Sequence, residues 1–207
     1  MKRLFIILAS LLCLLSCQQG SAPSAAGAVA AAPRPQYVAR TFEEFIASST
    51  YADSRDMWRG AAINEYAPKN SRVEILLREQ RGRLYINDKI AMDFPVCSGR
   101  VGGHETPKGR FRITEKKRQH RSSLYGSFVG AGGDTVKGDA KVSDKAPAGT
   151  RFLGASMPYW MRFNGAIGMH VGNVYRSGAS HGCVRVPVEA CSILFEKLSV
   201  GSPVIVK

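Results

Sequence analysis

At 207 residues the chain has room for one domain plus extensions, and its 44% hydrophobic content excludes a chain too polar to bury a core. Twenty-nine Lys and Arg against 16 Asp and Glu give a formal charge of +13, so its partners should be anionic. Nucleic acid is one such partner, but an export signal at the N-terminus argues against it.

That signal begins with the basic Met1-Lys2-Arg3 and continues as the apolar run Leu4–Leu15, too short for the ~20 residues a spanning helix needs. It ends in Leu14-Leu15-Ser16-Cys17, which resembles the bacterial lipoprotein box. The resemblance implies a signal peptide over 1–16, cleavage before Cys17 and lipidation of that residue. Attachment through several acyl chains would be stable. An ordinary signal peptide cut near Ser21–Ala25, where small residues also suit a peptidase, is the alternative. Residues 17–40 then comprise Cys17 and a linker, since Gln18–Gln36 is rich in Ala, Ser, Gly and Pro and has little to bury. Residues 41–70 form an N-terminal extension. Within it Thr41-Phe42-Glu43-Glu44 has the spacing of a capping box and predicts a short helix running towards Ser49, docked through Phe42 and Phe45. The stretch from Tyr51 to Asn70 receives no assignment.

A domain over 71–207 follows. Val73–Leu77, Arg83–Ile86 and Ile90–Val96 are β-branched, aromatic and apolar runs separated by Gly82 and by Asn87-Asp88, and they predict a meander. Thr106-Pro107-Lys108-Gly109 predicts a turn, and Phe111 and Ile113 alternate as one face of a strand. From Glu115 to Thr150 periodicity disappears: a basic start, Lys116-Lys117-Arg118-Gln119-His120-Arg121, leads into a glycine-rich stretch that predicts a long irregular loop. Strands are expected again over Pro158–Phe163 and Ala166–His170. Val188, Cys191, Phe195 and Leu198 share one face of a helix that Pro187 opens and Gly201 stops, ahead of a last strand at Val204–Val206. With Cys13 in the leader and Cys17 lipidated, Cys97, Cys183 and Cys191 remain, an odd number that suggests a free reactive thiol. Cys97 and Cys191 might pair, but the helical position of Cys191 favours a buried thiol.

The densest chemistry lies in Gly168–Pro187, where His170, Ser180, His181, Cys183 and Arg185 fall within one short segment. A thiol nucleophile needs a base, donors for an oxyanion and a cation to seat an acidic substrate, and all three have candidates here. Gly182, next to Cys183, permits a tight turn that lets backbone N–H groups converge beside the sulfur. A lone Cys or His is usually a core group, but that reading does not account for the clustering. A zinc site using His170, His181 and Cys183 has none of the usual ligand spacings and no glutamate in the segment to act as base.

Ser180-His181-Gly182-Cys183-Val184-Arg185, preceded by Gly168-Met169-His170, resembles the active-site signature of the L,D-transpeptidase catalytic domain family. Thr106-Pro107-Lys108-Gly109-Arg110-Phe111 resembles its second landmark. The stretch from His170 to Ser180 is shorter than in much of that family. The resemblance implies a mainly β fold, a mixed-sheet sandwich or barrel with one packed C-terminal helix. It makes Cys183 the nucleophile and His170 its base, oriented by the Val171 carbonyl. His181, Gly182 and Cys183 would supply backbone donors, while Arg185 would bind a substrate carboxylate or fix the loop. Ser180, Trp160 and Tyr159 are further candidates for substrate contact, and the 116–149 segment would be a lid unless it is merely solvated. The implied partners are peptidoglycan stem peptides and a membrane reached through the lipid anchor, for a monomer in the bacterial envelope with no metal and no cofactor. An L,D-carboxypeptidase or amidase, or a catalytically silent cell-wall-binding lipoprotein, is the alternative.

Overall fold

In the computed structural model, residues 36–38, 40–49, 51 and 55–207 are described, so the signal peptide, Cys17 and nearly all of the linker lie outside the described residues. The first element is α1 (Phe42–Ile46), with the capping box the sequence predicts: the Thr41 hydroxyl accepts from the Glu44 N–H, and the Glu44 carboxylate accepts from the Thr41 N–H. A short strand, β1 (Trp58–Arg59), and a 3-10 turn over Ala61–Glu65 follow. The meander is β2 (Ser71–Leu76), β3 (Arg81–Ile86) and β4 (Lys89–Pro95), then β5 (Gly109–Arg112) and β6 (Glu115–Lys117). Next come β7 (Arg121–Val129), β8 (Thr135–Lys141), β9 (Arg151–Ser156), β10 (Trp160–Asn164), β11 (Ile167–Val171) and β12 (Val184–Val186). The chain ends with α2 (Val188–Lys197) and β13 (Pro203–Val206).

Three sheets result. A six-stranded sheet runs β1-β4-β3-β2-β13-β5, a four-stranded sheet β12-β11-β10-β6, and a three-stranded sheet β8-β7-β9. Pairing is antiparallel except for β13 with β2 and β11 with β12, so the sheets are mixed and the architecture is mainly β with one packed C-terminal helix, as expected. Between β3 and β4, Asn87 and Asp88 both take positive φ, the twist a tight hairpin requires. Val73, Ile75, Leu84 and Ile86 of the large sheet, Met161, Met169, Val184 and Val186 of the second, and Ala190, Cys191 and Leu194 of α2 share one hydrophobic core. Cys97 and Cys191 are separate buried free thiols, so they do not pair.

The segment from Glu115 to Thr150 departs from expectation. It is not an irregular loop: it forms β6 and then the β8-β7-β9 sheet. The strands were hidden because β7 is bulged at several points, which breaks the two-residue period, and because six of the seven β8 residues are exposed and carry no apolar alternation. The unassigned part of the extension also has a structural role, since β1 adds an edge strand to β4.

The extension is held by a buried charge cluster as well as by apolar contact. Asp93 is fully buried; it accepts from Arg81 Nε at 2.8 Å, Arg83 Nε at 2.9 Å and the Tyr51 hydroxyl at 2.9 Å. Phe45, also fully buried, lies beneath the Arg81 guanidinium, 5.3 Å from ring centre to charge. Breaking a buried ion pair at one partner typically costs about 3–5 kcal/mol, because the other charge stays buried. Asp93→Ala should therefore lower unfolding free energy by about that amount in a urea titration. A loss under about 1 kcal/mol would place the cluster among weak surface pairs.

Candidate active site

The alternation of side chains along two parallel strands creates the site. β11 pairs with β12 in the register Met169↔Val184, His170↔Arg185 and Val171↔Val186. Met169, Val184 and Val186 point into the core, so the two-residue period turns His170 and Arg185 to the opposite face. Cys183, two residues before Arg185, enters on that same side. All three line one cleft of about 410 Å³, together with Trp160, Ser180, His181 and residues of β7 and β9.

The loop that carries Cys183 is fixed from below. Gly182 has φ +112°, a conformation that a side chain at this position would strain. Its carbonyl accepts from the Thr106 hydroxyl at 2.7 Å, and Thr106 Oγ1 in turn accepts from the Gly99 N–H at 2.9 Å. Thr106 is buried, so the Thr-Pro landmark is a brace beneath the cysteine turn. Sequence spacing marked the landmark but not the contact, which joins residues 76 apart.

Two of the expected residues have partners within the loop. The Gly182 N–H donates to Ser180 Oγ at 3.1 Å. Ser180 is buried and its hydroxyl also donates to the Cys183 carbonyl, which ties the loop together and leaves the hydroxyl little capacity for a substrate. Arg185, by contrast, makes no side-chain hydrogen bond or ion pair among the described residues, and it lines the cleft.

His170 is buried, and its Nδ1 lies 2.8 Å from the Val171 carbonyl. An N–H at Nδ1 donates there, which assigns the lone pair to Nε2. Burial pushes the imidazole down to about 4, against an opposing effect of the Val171 hydrogen bond and with help from the charges of Arg185 and His120. Burial likewise raises the Cys183 thiol, while the Gly168 backbone and the Arg185 charge favour the thiolate. The resting pair is therefore a neutral imidazole and a neutral thiol at pH 7.

Trp160 forms a wall of the cleft. Its ring is 6.2 Å from the His170 ring and stacks on His120 at 4.7 Å, and its Nε1–H donates to Glu115 at 2.9 Å. Gly168 allows this approach, since a Cβ there would stand 2.7 Å from the indole. Tyr159 does not line the Cys183 cleft. It packs on Phe195 of α2 and faces an adjoining pocket instead.

His181 sits where the β8-β7-β9 sheet meets the cysteine loop, stacked on Tyr125 at 4.0 Å and edge-on to His104 at 4.7 Å. Tyr125 and His104 carried no signal in the sequence, because neither lies in a periodic run or a motif. The basic run at the start of this region is divided in its uses. The Lys116 ammonium donates to the Phe195 and Leu198 carbonyls at the end of α2, and Lys117 pairs with Glu115 at 2.6 Å. Neither is free to steer a ligand, whereas Arg118, His120 and Arg121 line a pocket. Among the described residues no three His, Cys, Asp or Glu side chains converge as a metal-ligand set.

A sequence profile of the L,D-transpeptidase catalytic domain matches residues 70–206. No curated protein matches the chain. Among solved structures it is similar to an L,D-transpeptidase from Xylanimonas cellulosilytica, at 21% identity and a TM-score of 0.50 over 68% of this chain and 62% of that one. An L,D-transpeptidase from Mycobacterium smegmatis gives 16% identity and a TM-score of 0.50 over 67% and 58%. One from Stackebrandtia nassauensis gives 21% and 0.49 over 72% and 68%. The chain thus spans about three fifths of the first two of these structures. At such identities the likeness is one of fold.

Leaving a buried polar group unpaired costs about 1–3 kcal/mol. Thr106→Val, which strands the Gly182 carbonyl and the Gly99 amide, should lower stability by at least that much in denaturant, while Thr106→Ser should stay within about 1 kcal/mol of the parent. Equal losses would show that the hydroxyl is not the brace.

Proposed function

Because the chain belongs to the L,D-transpeptidase catalytic domain family, we propose that it is a cysteine acyltransferase acting on the stem peptides of peptidoglycan. The observation that carries this reading is the shared cleft of Cys183 and His170, with Nδ1 of the imidazole committed to the Val171 carbonyl and Nε2 left as the base.

Starting from a neutral pair, Nε2 takes the thiol proton as the sulfur attacks the carbonyl of the L-centre of diaminopimelate in a tetrapeptide stem. A C–S bond forms, and the oxygen becomes an oxyanion that the backbone N–H groups of His181 and Cys183 receive. Collapse breaks the C–N bond, the imidazolium returns its proton to the departing D-alanine amine, and a thioester remains on Cys183. An amine from a second stem, a free D-amino acid or an envelope protein then resolves it; water in that place makes the enzyme a carboxypeptidase or amidase. Arg185 is the cation in the cleft suited to a donor carboxylate.

The placement in the cell belongs to the same proposal. Export, lipidation at Cys17 and the 17–40 tether would hold the 71–207 domain, as a monomer, at a bacterial envelope membrane facing peptidoglycan. Among the described residues no helix is long and apolar enough to cross a membrane.

Incubation of the protein with muropeptide tetrapeptides, followed by intact mass analysis, should show an acyl-enzyme at Cys183 that Cys183→Ala lacks. The base works only unprotonated, and its folded pKa lies below the ordinary histidine value of 6.5, so activity should persist as pH falls past 6 and decline only near about 4. An acid limb of kcat/KM centred near 6.5 would contradict the buried neutral base. His170→Ala should lower kcat/KM by about 10²–10⁴-fold, the usual contribution of a positioned general base.

A further inference from the structure

The cysteine loop hangs on the segment from Cys97 to Arg100. The Cys97 N–H donates to the Arg185 carbonyl at 3.0 Å, and the Arg185 N–H donates to the Cys97 carbonyl at 2.9 Å. One residue on, the Ser98 carbonyl accepts from the N–H groups of Ala179 at 3.0 Å and Ser180 at 3.1 Å, and the Arg100 N–H donates to the Ser180 carbonyl at 3.0 Å. Ser180 passes the restraint forward, since its hydroxyl accepts from the Gly182 N–H and donates to the Cys183 carbonyl. Both ends of the loop therefore take their place from this segment. Its own pairings, Cys97 with Arg185 and Gly99 with Ser180, are isolated bridges outside the strands, so no sheet ladder fixes it.

The buried Ser98 is held by the side chain of Gln80, in the turn between β2 and β3. Gln80 Oε1 accepts from the Ser98 N–H at 2.9 Å, and Nε2 donates to the Ser98 hydroxyl at 2.8 Å and to the Leu77 carbonyl at 2.6 Å. Both Nε2 protons are thereby spent. The Gln80 carbonyl accepts from the Val96 N–H at 2.8 Å, which ties the turn to the end of β4. Gln80 itself has φ +50°, a left-handed conformation whose usual occupants are glycine, asparagine and aspartate. A long amide gains nothing there from the backbone geometry. What it adds is reach, since one side chain joins the large sheet to the residue that holds Ser180.

We propose that Gln80 is a positioning residue for acylation: through Ser98 and Ser180 it sets the direction of the loop backbone, and so of the His181 and Cys183 N–H groups that receive the oxyanion. The inference rests on the acyltransferase reading above and adds to it a residue remote from the cysteine in sequence. The sulfur and its base are placed by other means, since Val184 pairs with Met169 and His170 lies on β11. Loss of the Gln80 amide therefore spares the intrinsic reactivity of the thiol and falls on the step that needs the oxyanion donors. A misplacement of about 1 Å in such a site can cost about 10²-fold in rate.

The test is Gln80→Gly, because glycine suits the left-handed backbone and the change removes only the side chain. With a muropeptide tetrapeptide, the maximal rate of acyl-enzyme formation should fall by about 10-fold or more, while the half-saturating concentration stays within about twofold. Alkylation of Cys183 by iodoacetamide, which forms no oxyanion, should stay within about twofold of wild type. Amide hydrogen exchange across Ala179–Cys183 should quicken by about 10-fold or more, with β2 and β13 unchanged. Gln80→Glu, which keeps an acceptor for the Ser98 N–H, should recover part of the rate and part of the protection. A Gln80→Gly protein that acylates at the wild-type rate, or whose loop exchanges as before, would overturn the positioning role while leaving the acyltransferase reading intact. Equal losses of acylation and alkylation would overturn it too, since the whole loop would then have moved. A wild type that forms no acyl-enzyme would overturn both.

Discussion

The parallel register between β11 and β12 is the constraint on which the candidate site depends. Placing His170 opposite Arg185 sends Met169, Val184 and Val186 into the core, and a slip of one residue would exchange the two sets. The apolar half of the pattern therefore specifies the polar half. Burial of three aliphatic side chains enforces the positions of an imidazole, a guanidinium and, at the mouth of β12, a thiol. The loop before β12 is the weak point of such an arrangement, because nothing in a strand register fixes a turn. Thr106 and Ser180 supply what the register cannot, one from a distant segment and one from within the loop.

Burial also decides the charge state. A thiolate beside an imidazolium is the usual picture of an activated cysteine, and it needs a site polar enough to stabilise both ions. Here burial acts on both groups and favours the neutral form of each, and the Arg185 charge opposes a second cation on His170 while assisting a thiolate. A cysteine held as thiol is less exposed to adventitious oxidation and alkylation, since susceptibility follows thiolate character. The consequence is that activation accompanies substrate attack instead of preceding it.

Much of this was legible in the sequence, for identifiable reasons. The meander declared itself through β-branched runs and the Asn87-Asp88 turn, α2 through one apolar face, and the site through the crowding of His170, His181, Cys183 and Arg185. What stayed hidden depends on contacts between distant residues or on strands without alternation. The partnership of Thr106 with Gly182, and of Tyr125 and His104 with His181, leaves no local trace. The β8-β7-β9 sheet is bulged and largely exposed on β8, so it produced neither period. The basic run at its start reads in the sequence as one charged stretch, because sequence shows charge but not its partners. In the fold Lys116 caps a helix, Lys117 pairs with its neighbour Glu115, and only the later members face a cavity.

The β8-β7-β9 sheet and the cysteine loop meet at His181, and the nature of that junction follows from its surroundings. Asp139 is 3.8 Å from His181 Nε2, but its side chain is 78% exposed, and ion pairs of that kind contribute little. Burial and the charge of Arg100 oppose a positive ring, Asp139 favours one, and His104 and Arg185 oppose it further, so the balance keeps the imidazole below its ordinary value. A neutral ring stacked on Tyr125 and met edge-on by His104 is held by packing, which tolerates little displacement before contact is lost. The residue so held is two before Cys183 and supplies one of the backbone groups proposed for the oxyanion. Tyr125 also lines the cleft, so the sheet that walls the substrate and the turn that presents the sulfur share one aromatic contact. Any movement of that sheet must therefore either carry His181 with it or break the stack, and both alter the backbone beside the thiol.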